Sequence, residues 1–106
     1  MLYKIQIGDE PYQIINFDFF SSRVRLEIFF NSLAQRWLVK VTEPNDNKTI
    51  INGMPIVVGV NLLERVGTPY FFRIIDNSRN GLDPQFPRDW VARCSFYVGL
   101  KSEELI

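Results

Sequence analysis

Histidine is absent from these 106 residues, and cysteine occurs once, as Cys94. Without imidazole there is no histidine-based triad, no histidine haem ligand, no ordinary zinc site and no imidazole acid-base chemistry. One thiol permits neither an internal disulfide nor a cysteine-cluster metal centre, and it fits a reducing compartment, so Cys94 reads as a small buried apolar residue. Net charge is missing too: 12 basic and 12 acidic side chains cancel, which removes general attraction to nucleic acid or an anionic membrane. The most apolar stretch, residues 54–60, contains Pro55 and Gly59 and falls far short of the roughly 20 residues that cross a bilayer, so no membrane association is expected. The opening residues lead into alternation instead of a basic segment followed by an apolar run, so no export signal is expected there.

What is present is the composition of a folded chain: 46% apolar and 14% aromatic, with only six Gly and six Pro. At this length one core fits and a separate cofactor domain does not, so residues 1–106 are expected to form a single domain. The clearest local signal is period-two alternation over residues 22–43, broken once at Asn31-Ser32-Leu33-Ala34, which predicts a β-hairpin. With Asn31 opposite Ala34, Val24, Leu26, Ile28 and Phe30 share a face with Val41, Val39, Trp37 and Gln35. The other face then carries Arg23, Arg25, Glu27 and Phe29 with Thr42, Lys40, Leu38 and Arg36, the polar-out half of an antiparallel pair.

Residues 2–7 and 12–20 read as two earlier strands joined by the turn-prone Gly8-Asp9-Glu10-Pro11, for which a meander is the simplest connection. After the hairpin, residues 49–51 form a short strand ending in a tight turn at Asn52-Gly53, and residues 55–58 resume the extended pattern. Residues 61–65 predict one helical turn capped by Asn61. Residues 70–75 and 95–100 supply the last strands, separated by a long connecting loop over residues 76–93. The fold class that follows is mostly β: a small antiparallel β-sandwich or partly open barrel with at most one short helical turn.

Catalytic and ligand motifs fail one by one. Asp76-Asn77-Ser78-Arg79-Asn80-Gly81 resembles the start of a calcium loop, but Pro87 stands where the bidentate glutamate belongs and Arg79 places a cation inside it. A plain turn is the expectation. No glycine-rich phosphate loop is present, the serines lack a histidine base, and Asp9, Glu10, Asp76, Asp83 and Asp89 read as exposed turn carboxylates. The expectation is therefore a protein without catalytic residues, metal or cofactor. Contact surfaces are better supported. Arg25, Arg36 and Lys40 surround Phe29 on the outer hairpin face, and Phe86, Arg88 and Trp90 lie in the long loop stiffened by Pro84 and Pro87; these are residue types enriched at interfaces. Phe86 and Trp90 equally fit a lid that closes one end of the core, and Leu105-Ile106 fits a docking tail.

The order of certain motifs is similar to the small baseplate plug proteins of contractile-tailed bacteriophages: Phe30-Asn31-Ser32, Arg36-Trp37-Leu38-Val39-Lys40-Val41, Ile51-Asn52-Gly53, Val58-Gly59-Val60-Asn61-Leu62-Leu63 and Phe96-Tyr97-Val98. The resemblance covers residues 22–98, and the extended segment over residues 84–93 departs from the shorter, more acidic approach to the last strand in that family. It implies a virion structural protein near the distal end of the tail tube, assembled in the host cytoplasm and packed against hub, tube or other baseplate proteins in several copies. It brings no catalytic residues. The alternative is a stand-alone barrel that binds single-stranded nucleic acid or another polymer through cations and aromatic stacking on the hairpin face, although Glu27 interrupts that patch.

Overall fold

A computed structural model describes residues 2–104. Its strands are β1 (Leu2–Ile5), β2 (Tyr12–Phe19), β3 (Ser22–Asn31), β4 (Arg36–Glu43), β5 (Lys48–Pro55), β6 (Asn61–Leu62), β7 (Tyr70–Asp76) and β8 (Cys94–Leu100). Two four-residue helices, α1 (Asp89–Ala92) and α2 (Lys101–Glu104), and a 3-10 turn at Pro44–Asp46 complete the described elements. The strands form two four-stranded antiparallel sheets, ordered β2-β3-β4-β5 and β1-β8-β7-β6, and no barrel closes. Leu105-Ile106, expected as a docking tail, lies outside the described residues.

Alternation dictates which face of each sheet turns inward. Val24, Leu26 and Ile28 of β3 and Trp37, Val39 and Val41 of β4 are wholly buried, and they meet Tyr70, Phe72 and Ile74 of β7 and Phe96 of β8 in one apolar cluster. Each such side chain contributes roughly 1.5–3 kcal/mol on burial, which offsets the conformational entropy of ordering a small chain. An aromatic series links the two sheets. Trp37 stacks on Trp90 at 5.9 Å between centroids, Trp90 on Phe96 at 5.9 Å, Phe96 on Phe72 at 5.2 Å and Phe72 on Tyr70 at 5.8 Å. Cys94 is buried as expected, and desolvation pushes its thiol pKa up to about 11.

Four local expectations are corrected. The hairpin closes with Asn31 opposite Arg36, two residues further than the expected register, because Asn31 Oδ1 accepts from the N–H groups of both Leu33 and Ala34 at 3.1 Å and Gln35 takes a left-handed φ of 51°. A shift of two keeps every side chain on its expected face, so the inward and outward sets survive. The first two strands do not form a meander: β1 pairs with β8, and Gln13 holds the crossing to β2 through bonds to Gly8 and Glu10.

Asn52-Gly53 is a bulge rather than a turn. Lys40 faces Asn52 while Val39 faces Met54, so Gly53 is the extra residue, and its φ of 81° suits glycine. Residues 61–65 are not helical either. Asn61–Leu62 pairs with Phe72 and Arg73, and Leu63, at a φ of 72°, turns the chain so that both leucines enter the core.

On the outer face of the β1-β8-β7-β6 sheet, Phe71 is buried directly over Gly99. A Cβ at Gly99 would lie 2.8 Å from Phe71 Cζ and 3.0 Å from Leu2 Cδ2. Gly99→Ala is therefore expected to cost about 1–3 kcal/mol through overpacking, measured by urea unfolding, and Phe71→Leu is expected to recover part of that loss in the double variant.

Candidate functional site

The antiparallel registers assemble an apolar row across the outer face of the β2-β3-β4-β5 sheet. Tyr12 faces Phe29, Phe29 faces Leu38 and Leu38 faces Pro55, so one side chain from each strand joins it. Tyr12 is 54% exposed, Phe29 and Leu38 are half-buried, and Pro55 is exposed. The adjacent row is polar in its centre: Ile14, Glu27, Lys40 and Asn52. Glu27 accepts from the Tyr12 hydroxyl at 2.8 Å and lies 3.9 Å from Lys40 Nζ. That hydrogen bond to a carboxylate holds the Tyr12 pKa above its ordinary value, so the phenol remains a neutral donor.

Among the residues expected to make contacts, Lys40 is thus paired within its own sheet. Arg25 and Arg36 make no ion pair among the described residues and are exposed. They stand on opposite sides of the apolar row, and three row spacings along the strands separate them by about 20 Å. The result is an aromatic and aliphatic stripe flanked by two separated cations, rather than a continuous basic track. Phe29 lies at its centre, as expected. Leu38 was expected on the same face, whereas Tyr12 and Pro55 join it only because the registers bring β2 and β5 alongside the hairpin, and single-strand alternation carries no such information.

The loop over residues 77–93 divides its three expected contact residues. Trp90 is a core residue at 5% exposure, whereas Phe86 is 50% exposed and Arg88 is exposed. Trp37 Nε1 donates to the Phe86 carbonyl at 3.2 Å, which fastens the loop down while leaving the Phe86 ring outside. The loop's other anchor is polar. Arg93 donates to the carbonyls of Leu82 and Asp83 at 2.7 and 2.8 Å, and it bridges Asp76 at 3.2 Å and Asp89 at 3.1 Å. Asp89 in turn accepts from the N–H groups of Gln85 and Phe86, and Asp83 from that of Val58.

These contacts answer the resemblance to a calcium loop. Asp76 Oδ1 accepts from the N–H and hydroxyl of Ser78, and Oδ2 accepts from Leu82 N and Arg93, so the first would-be ligand is already spent within the loop. The Ser78 hydroxyl, with the Leu82 and Ser78 amides and Arg93, outweighs burial and holds the Asp76 carboxyl well below the usual carboxylate range.

A second apolar feature escaped the sequence. Between the free edges of β1 and β2 lies an open groove of about 510 Å³, lined among others by Tyr3, Ile15, Phe17 and Phe20. Phe20, 63% exposed at a left-handed φ of 55°, stacks edge-on against Phe19 at 4.8 Å and Tyr3 at 6.1 Å. The sequence offered no signal for it, because residues 12–20 read as one strand and only the fold shows Phe20 exposed in a backbone conformation that favours Gly or Asn.

A family model described as cyanophage baseplate Pam3 plug gp18 matches residues 2–89. The chain belongs to this family. It is accordingly a phage baseplate plug, a structural role in association with other baseplate proteins. The matched span runs from β1 through the start of α1 and includes the complete outer stripe, while β8 lies beyond it. No curated protein matches the chain. No helix of the described residues is long and apolar enough to cross a membrane.

Proposed function

We propose that this plug is a non-catalytic adaptor near the distal end of the tail tube and hub of a contractile tail, present in several copies and held by protein contacts. The observation that carries this reading is the stripe of Tyr12, Phe29, Leu38 and Pro55, a partly exposed apolar row on a family member whose role is structural. Arg25 and Arg36 flank it as orienting charges, and Phe86 and Arg88 extend the contact at the loop. Trp90 supports that loop from the core. The single β domain expected over residues 1–106 serves here as a rigid wedge whose work is mechanical.

Mass analysis of purified particles, with copy number per tail after removal of loosely bound protein, tests the role. A small fixed multiple is expected, and absence from mature particles would sink it. Arg25→Glu combined with Arg36→Glu is expected to lower copy number at least about tenfold while leaving the fold intact, since both side chains are exposed. Unchanged incorporation would remove this face from the contact. Polymer binding through phosphates predicts steep loss with added salt, whereas the pairing of Lys40 with Glu27 favours a protein contact that salt weakens far less.

A further inference from the structure

On the other sheet, an open cavity of about 310 Å³ lies beside β7, between Val58-Gly59 and the turn that carries Arg79 and Gly81. We propose that this cavity is a carboxylate-binding site, in which Arg73 and Arg79 receive an acidic side chain from a neighbouring protein.

Charge carries the argument. Both arginines line the cavity, and neither makes an ion pair among the described residues. The acid beside them, Asp76, does not neutralise them. Its two oxygens accept from Ser78, Leu82 and Arg93, and only 2% of its side chain is exposed. Arg73 faces the uncharged Asn61 and Tyr97 across its strand pairs, and its Nε–H is buried with no acceptor among the described residues. A buried donor whose bond is unmade, on a half-buried arginine, is a group that an incoming anion can satisfy.

Geometry selects the class of anion. Phosphate sites are typically lined by several free backbone N–H groups, but of the lining residues outside β7 Val58 donates to Asp83, Gly59 to the Ile74 carbonyl and Arg79 to the Asp76 carbonyl, which leaves the single N–H of Gly81. Two guanidinium forks remain, which match the planar pair of oxygens on a carboxylate. Access is open, because nothing lies within 4 Å of where a Cβ would stand on Gly59 or Gly81. Binding turns the Arg73 guanidinium toward the mouth so that Nε–H and one Nη–H donate in parallel.

The identity of the occupant as part of another baseplate protein rests on the adaptor role, and the test separates the two. In the isolated isotope-labelled protein, the Arg73 Nε–Hε resonance is followed while sodium acetate is added, against sodium chloride at equal ionic strength. A saturable shift with acetate alone is expected, weakened about fivefold or more in Arg79→Gln, an exposed position where folding is not at stake. The same drift with chloride, or phosphate binding tenfold tighter than acetate, would overturn the carboxylate assignment. In particles, Arg79→Glu is expected to reduce copy number, and unchanged incorporation would overturn the proposed occupant. Wild-type copy number reports on the adaptor role independently of either result.

Discussion

Trp37→Ala is expected to remove about 3–5 kcal/mol of folding free energy, a large part of the roughly 5–15 kcal/mol available to a domain of this size. The size of the effect follows from position. Trp37 is wholly buried, packs against Phe30 at 5.5 Å and Trp90 at 5.9 Å, and carries the indole N–H that fastens the loop at Phe86. Its backbone carbonyl also receives the Ile56 N–H at 2.9 Å, just where β5 ends. Removing the indole therefore opens a cavity at the junction of sheet and loop together. Trp37→Phe separates the two contributions: it keeps most of the packing but strands the Phe86 carbonyl, with an expected loss nearer 1 kcal/mol. Urea unfolding followed by circular dichroism gives both values, and faster amide exchange at Val91 and Ala92 in Trp37→Phe would report the freed loop. A cost below about 1 kcal/mol for the alanine variant would contradict the placement of this residue.

Arg93→Met is the second large effect, on the order of 3 kcal/mol, because it leaves buried acidic oxygens without their cation. The value stays below that of a fully buried pair, since 18% of the Arg93 side chain is exposed. Two carbonyls, of Leu82 and Asp83, lose their donors in the same step. Acid exposes the other half of this cluster. The folded Asp76 carboxyl titrates below its unfolded counterpart, so its contribution is fully present above about pH 4 and fades as pH falls toward the folded value. Asp76→Asn is expected to flatten the stability profile below about pH 4, as read by urea midpoints between pH 2 and 6. A profile as steep as that of the parent would assign the acid sensitivity elsewhere.

The facing of the hairpin was legible because period-two alternation over twenty residues fixes which side chains share a face, even with the register displaced by two. Pairing partners were less legible. Nothing in the local pattern of β1 distinguishes β2 from β8 as a neighbour, since both present alternating apolar residues to the same core. Asn52-Gly53 and Asn61 show a different ambiguity: each residue type fits a turn or cap, but the same positive φ serves a bulge, and burial of Leu62 and Leu63 overrides helix propensity. Trp90 was legible as either lid or contact, and packing against Trp37 and Phe96 decided for the lid. The outer stripe needed all three strand registers at once. The arginine cavity needed the fate of the Asp76 hydrogen bonds, which no spacing rule supplies.

The pairing of β1 with β8 sets the order in which the molecule can be completed as it leaves the ribosome. The sheet of β2 to β5 consists of sequence-adjacent hairpins, so it can close while synthesis continues, with little chain entropy to overcome at each step. β1 has no such neighbour. It waits until β8 has emerged, and Leu2 meets Gly99 only then. Through that interval the inner surface bearing Val24, Leu26 and Ile28 lacks the opposing strands β7 and β8, and the nascent chain is at its most prone to aggregate. β8 thus both covers the core and captures β1.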